Sequence, residues 1–438
     1  MPKRKPQPNG DEIPIWPHQV QGGKYVKILK NFVQSLREEE MQAGHGNRAL
    51  FLDHVLIAQL LAFYNPSVRS LRTIEDFSQT KQAQRHLTVR KICKSTLSDF
   101  NALANPELLQ PLVAHLHKEV ATQRQSGEKR NEPLEKLLEQ TIAVDGTFFP
   151  ALADVAWSVR NKNQHGSQSY RARIDVMLNV ENGLPEAIVV PEPKQGEAES
   201  ARQCIQPGKI YLYDRGYNSL PLISAHYRQI SKTVMEASSG FVLRLKGDGK
   251  QIGAIGYRAI EEREISDQDR AAGVVQDRIV RLNSENAVRL GLGEVDFREI
   301  LIEYEQDGET KTLRLLTNLF DLSAETIGQL YRHRWQVELF FRWIKSYGNF
   351  RHLISQTKSG MQLNLYVAMI GIMLMYLHTG FRPSKYLFPM LEMVAHGSAT
   401  LDEIMPILLE RERQCALARD SQRRRNAKKK AMKTQPNS

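Results

Sequence analysis

The stretch Leu330 to Phe350, LYRHRWQVELFFRWIKSYGNF, constrains the fold more than any other part of the chain. On a helix at roughly 100° per residue it puts Tyr331, Arg334, Glu338 and Lys345 within an arc of about 60°. Leu330, Val337, Leu339, Phe340, Phe341, Trp343 and Ile344 occupy most of the remaining circumference, so one largely buried helix is expected. A carboxylate flanked by two cations on such a helix is costly unless it pairs internally or meets an outside ion. An i,i+4 pair of Arg334 with Glu338 accounts for two of the four residues and leaves Tyr331 and Lys345 without a role.

The surrounding chain has 438 residues, too many for one ordinary core, and two or three domains are expected. A formal net charge of +11 points to a polyanionic partner, nucleic acid before an anionic membrane. The longest apolar run, Leu365 to Leu377, is shorter than the roughly 20 residues of a bilayer span and is expected as a core helix. The opening MPKRKPQPNG has no apolar segment behind it, so a cytoplasmic protein without a secretory signal is expected. Cys93, Cys204 and Cys415 are too scattered for a disulfide framework or a zinc site.

Taken in order, residues 1–20 are Pro-rich and aperiodic and are expected as a mobile arm. Helical periodicity starts near Tyr25, strengthens over Phe51 to Phe63 and stops at Asn65-Pro66; residues 21–131 are expected as a helical DNA-binding domain. Within it, SVRSLRTIEDFSQ and KSTLSDFNALA fit either a helix-turn-helix-like reader, with Arg85, Arg90, Lys91 and Lys94 facing phosphates, or an ordinary helical subdomain. Residues 132–360 are expected as an α/β domain with a mixed sheet flanked by helices. Gln140 to Phe149 is its first strand; Ala172 to Val180 and Leu184 to Val190 flank Glu181-Asn182-Gly183 as a hairpin; Lys209 to Tyr213 and Phe241 to Leu245 follow as strands. Residues from about 249 to 297 break this order and are expected as a β-rich insertion, before a second hairpin across Gln306-Asp307-Gly308. Residues 361–422 are expected as C-terminal helices and 423–438 as a basic tail.

Two acids stand out by placement: Asp145 lies inside an otherwise apolar strand, and Asp214 at the C-terminal edge of another, where open α/β sheets put ligands. If the helix at Leu330 packs beside that edge, Glu338 supplies a third carboxylate, and three such acids call for divalent metal, with magnesium or manganese suited to hard oxygen ligands. Arg334 and Lys345 would hold a phosphate backbone alongside. Asp175 in the hairpin, and Asp154, Asp248 and Asp321 in loops or caps, are weaker candidates.

The spacing Y-x2-R-x3-E-x6-K formed by Tyr331, Arg334, Glu338 and Lys345 resembles the signature of the DDE transposases of bacterial insertion sequences, family four. Asp145 in AVDGT and Asp214 in YDRGY resemble that family's two catalytic aspartates. The resemblance implies a ribonuclease-H-like core carrying a β-rich insertion and magnesium-dependent cut-and-paste transposition, with manganese as substitute. It implies that Asp145, Asp214 and Glu338 bind metal at the terminal inverted repeats, and that Tyr331, Arg334 and Lys345 contact double-stranded DNA. Arg215 and Lys94 are further candidate contacts, and a homodimer on DNA and no membrane association are expected. Some relatives stack a flipped base on an aromatic of the insertion, for which Tyr257 and Phe297 are available here. A nuclease without strand transfer and a domesticated DNA-binding protein are the alternatives.

Overall fold

The computed structural model describes residues 29, 32, 34, 36–38, 50–65, 68, 70–87, 89, 91–125, 133–151, 159–162, 168–192, 194–231, 234–245, 256–306, 309–347, 357–379, 389–390, 393, 398–400, 403–411, 413–415, 417–418 and 421. The expected N-terminal arm, the helical start near Tyr25, Arg90, Asp154, Asp248 and the basic tail lie outside them. The chain divides into two compact units, residues 1–94 with 383–438 and residues 95–382. The first boundary falls at Lys94.

In the first unit, α1 (Leu52–Tyr64) is buried from Leu52 to Ala62, as its nearly continuous apolar sequence requires. Its buried Asp53 accepts an ion pair from Arg37. The next helix, α2 (Leu71–Ser78), starts at Ser70, whose hydroxyl accepts from the Thr73 N–H at 3.1 Å. A short α3 (Lys81–Gln84) follows, and the Ser78 hydroxyl accepts from the Ile92 N–H at 3.0 Å, tying the following segment down. The chain then enters α4 (Lys94–Leu103).

The second unit is built on a mixed sheet whose strands are β1 (Thr141–Ala151), β2 (Val159–Lys162), β3 (Gln168–Asn179), β4 (Pro185–Val189), β5 (Ile210–Tyr213), β8 (Gly240–Arg244), β9 (Tyr257–Glu262), β10 (Val274–Leu282), β11 (Asp296–Gln306) and β12 (Glu309–Thr317). Their order is β2-β3-β1-β5-β8-β12-β11-β10-β9, with β4 also on β3. The pairs β1/β5 and β5/β8 are parallel and the others antiparallel. A separate ribbon joins β6 (Tyr227–Gln229) to β7 (Met235–Ala237). The expected hairpin is present: Asn179 Oδ1 accepts from the N–H groups of Glu181 and Asn182, and Gly183 takes φ 71°, which a side chain would disfavour.

Alternation along β1 divides the sheet's faces. Ile142 and Val144 join Met177, Tyr211, Tyr213, Phe241 and Leu243 in a core closed by Ala201 of α7 (Glu197–Arg202) and by Leu222 and Ile223 of α8 (Leu220–Ser224). Ala143, Asp145 and Thr147 therefore belong to the other face. The unit also holds α5 (Gln110–Gln125), α6 (Pro133–Glu139), α9 (Asp267–Ala271), α10 (Glu285–Arg289), α11 (Ala324–Arg332), α12 (Trp335–Tyr347) and α13 (Lys358–Thr379). Among the described residues α13 is the one helix long and apolar enough to cross a membrane; 89% of its apolar window is buried inside the protein. It packs on α5, where Gln110 donates to the Tyr366 hydroxyl at 3.2 Å.

The β-rich segment after residue 249 extends the central sheet, because the edge of β11 takes β10 and then β9 as partners. Charges are buried within this arm. Arg298 donates to Asp277 at 2.8 Å and reaches the Leu319 carbonyl, and Glu299 accepts from both Arg278 and Arg314. Tyr257 donates to Glu299 at 2.8 Å. Arg298, Asp277, Glu299 and Arg314 are all at most 2% exposed, so the loss of one partner leaves an uncompensated buried charge. Asp277→Ala is expected to cost about 3–5 kcal/mol in denaturant unfolding, and the apolar double variant Asp277→Leu/Arg298→Met to recover most of that loss.

Candidate active site

Parallel pairing of β1 with β5 sets the geometry. Ala143 stands opposite Leu212, so two residues further along each chain Asp145 and Asp214 arrive on one face at neighbouring positions. Asp214 lies just past the end of β5, where its side chain accepts from the Gly216 N–H at 2.7 Å and opens a short 3-10 turn, Arg215–Tyr217. Both acids are half-buried.

The segment expected as one helix from Leu330 is two, α11 and α12, meeting at His333 and Arg334. There the N–H groups of His333 and Arg334 bond to the carbonyls of Leu330 and Tyr331, three residues back, both at 3.0 Å, and the turn tightens. This aims the Arg334 guanidinium at the strand ends, 3.5 Å from Asp145, while it also pairs with Glu338 in the first turn of α12. The i,i+4 pair is real, and it joins a third group on β1. Further along α12 the Lys345 ammonium donates to the Thr147 hydroxyl, so α12 lies along the Asp145 face of β1. Tyr331 is buried beside Arg334, and burial pushes its hydroxyl up to about 12. Despite the break, Arg334 and Lys345 both reach the Asp145 face of β1, and Glu338 is joined to it through Arg334.

Burial raises the Asp145 carboxyl to about 6; Arg334 and the Gly146 N–H oppose the shift, and the nearby charges of Asp214 and Glu338 add to it. An acid whose folded pKa exceeds its unfolded value holds its proton more tightly when folded. Its contribution is favourable at low pH and is lost as pH rises from the ordinary 3.8 through about 6.

Two further acids stand on the other face. Asp175 lies opposite Gly146 across the β1/β3 ladder, buried, and gripped by Arg173 at 2.9 and 3.1 Å. Glu197, at the start of α7, comes so near that a Cβ on Gly146 would stand 2.8 Å from both Glu197 Oε1 and Asp175 Oδ1. A Cβ on Gly216 would stand 3.6 Å from Glu197 Oε2 and 2.9 Å from Asp214 Oδ1. Gly146 therefore makes room for Glu197 and Asp175, and Gly216 for the Asp214 carboxylate. The sequence offered Asp175 as a weak candidate and Glu197 not at all, because acids in a first helical turn are ordinary dipole partners.

Arg215 is exposed one residue past Asp214, and Lys94, also exposed, belongs to the other compact unit. Phe297 is fully buried in the core, and the Tyr257 ring, half-buried, lies under the guanidinium groups of Arg278 and Arg314. Asp321 is exposed, and Ser323, not Asp321, caps α11. Among the described residues no three His, Cys, Asp or Glu side chains converge as a metal cluster. The donors nevertheless suit a hard cation: Asp145 and Asp214 offer carboxylate oxygens side by side, and magnesium takes one or two carboxylates with water and substrate oxygens completing its shell.

Asp145→Asn removes the like charge and the burial cost of ionisation. In the absence of divalent ions, its thermal stability relative to the wild type should rise between pH 4 and pH 6 and level off above, at a gain on the order of 2 kcal/mol. A flat difference across pH in thermal melts would contradict the raised Asp145 carboxyl.

Comparison with known proteins bears on the family of this chain. A protein named as a transposase of Sinorhizobium fredii, y4zB, is 27% identical over 234 residues, covering 53% of this chain and 59% of its own length. One named as the transposase of insertion sequence element IS5377 of Geobacillus stearothermophilus is 41% identical over 70 residues, 16% of this chain and 19% of its own. The chain thus spans less than two thirds of the length of these relatives. A cryo-EM structure of the piggyBac transposase synaptic complex with hairpin DNA covers 84% of this chain and 77% of its own at 9% identity, with a TM-score of 0.36 that is too low to bear on the fold. Residues 136–374, more than half of the chain and including Asp145, Asp214 and Glu338, match the family model described as the transposase DDE domain, and the chain belongs to that family.

Proposed function

We propose that this chain is the transposase of an insertion sequence and moves its element by cut-and-paste transposition, cleaving at the terminal inverted repeats and joining the 3′-hydroxyl ends to target DNA. The observation that carries this reading is the meeting of Asp145 and Asp214, on adjacent parallel strands, with the Arg334–Glu338 pair of α12. The parallel core strands between antiparallel neighbours support a ribonuclease-H-like fold with an inserted arm. The net charge of +11 supports double-stranded DNA as partner. Synapsis of two ends calls for a homodimer on DNA, in the cytoplasm at the nucleoid, with no membrane role.

Asp145, Asp214 and Glu338 would hold magnesium, or manganese in its place. When bound, these ions supply activation of the attacking oxygen and stabilisation of the leaving oxygen in phosphodiester displacement. The chain's own groups do the rest. Arg334 holds the Glu338 carboxylate toward the strand ends and neutralises part of the charge beside Asp145. Lys345, next to Thr147, offers its ammonium to a phosphate, with Arg215 exposed at the other side of Asp214. Tyr331 packs behind Arg334 and limits its orientations.

Cleavage of a duplex carrying the flanking inverted repeat, with magnesium or with calcium, tests this reading. Wild type is expected to nick at the repeat boundary with magnesium, and Glu338→Gln to lose roughly 10³-fold or more of that rate while still binding the ends. Binding without cutting under every metal would reject it. Pre-cut ends then separate strand transfer from simple nuclease action. Lys345→Ala is expected to weaken end binding and lower the salt slope by about one unit, measured by titration at several salt concentrations.

A further inference from the structure

Two arginines, Arg334 and Arg173, are paired with carboxylates around Asp214 among the described residues. Arg334 serves Asp145 and Glu338, and Arg173 is committed to Asp175 by two hydrogen bonds. Glu197 is half-buried, with Asp175 and Asp214 both close enough to disfavour its charge and only the committed Arg173 opposing them. Glu197 is also held close, since its two oxygens lie against the backbone at Gly146 on one side and at Gly216 on the other. A second, independent observation comes from Tyr217. Its side chain is fully buried, its hydroxyl has no hydrogen-bond partner among the described residues, and the charges of Asp175, Glu197, Asp145 and Asp214 are near enough to disfavour its ionisation. A buried hydroxyl left unpaired near four acids is the expected mark of a polar group that belongs there and completes the set.

We propose that Glu197 is a fourth acid of this site and that, with Asp214, it holds a divalent cation on the α7 side of the strand ends, the Tyr217 hydroxyl facing the same point. The inference rests on the metal-dependent reading above and extends it, by adding a ligand from the face opposite α12. Two carboxylates are enough for magnesium or manganese, which keep several waters when protein-bound. The arrangement accounts for both glycines, since a side chain at either position would meet a site carboxylate. The competing account makes Glu197 an ordinary first-turn acid of α7, stabilising a helix end and nothing more.

The test is manganese binding by the full chain, read by electron paramagnetic resonance of the free ion, together with thermal melts in chelator and in manganese. Glu197→Gln is expected to weaken manganese binding at least 10-fold or to remove one bound ion, to melt no lower than wild type in chelator, and to lose part of the manganese-induced rise in Tm. Unchanged binding in Glu197→Gln, alongside lost binding in Asp145→Asn and Glu338→Gln, would overturn the role of Glu197 and leave the three-acid site standing. A lower melting temperature in chelator with unchanged binding would assign Glu197 to the helix end. No manganese binding by the wild type would overturn both readings together.

Discussion

Arg334 is the interaction on which the rest of the site depends. Its guanidinium lies between Asp145 on a central strand and Glu338 on α12, and so joins the sheet to the helix that runs along it. Half-buried carboxylates at the ends of adjacent strands repel one another and lose hydration, which is visible in the proton affinity of Asp145. A single planar cation with several donors can face both carboxylates at once, and a lysine ammonium, with its point charge, matches that geometry less well. Arg334 stands at the break between α11 and α12, and from there its guanidinium reaches β1.

A different solution to buried charge appears at the far end of the sheet. There Arg298 with Asp277, and Glu299 with Arg278 and Arg314, close their charges entirely within the protein. Each pair links neighbouring strands, so the register of β10, β11 and β12 is written in charge as well as in apolar packing. These networks are satisfied internally, whereas Glu197 near Asp214 faces like charges with Arg173 already committed to Asp175.

Much of the architecture was legible in local patterns. The Asn-Gly hairpin, the strands at Gln140 and Lys209, the hairpin across residues 307–308 and the core helix at Leu365 all follow from periodicity and turn chemistry within a few residues. The inserted segment was legible as β-rich but not as part of the same sheet, since strand partners are chosen by exposed edges that composition does not reveal. The helix at Leu330 was legible by its apolar faces, and its interruption was not, because no glycine or proline marks it. The residue at the break, Arg334, pairs with Asp145, distant in the chain.

The sequence by itself determined the residue types and their spacing: two aspartates at strand positions, a glutamate flanked by basic residues at helical spacing, and a glycine within two residues after each aspartate. Only the tertiary structure decided that these meet. The parallel register of β1 and β5 brings Asp145 and Asp214 to one face, the packing of α7 brings Glu197 in from the other, and the turn after Asp214 buries Tyr217. The physical reason is that side-chain alternation is local and readable along one strand, whereas register and the approach of helices are settled by burying whole surfaces at once.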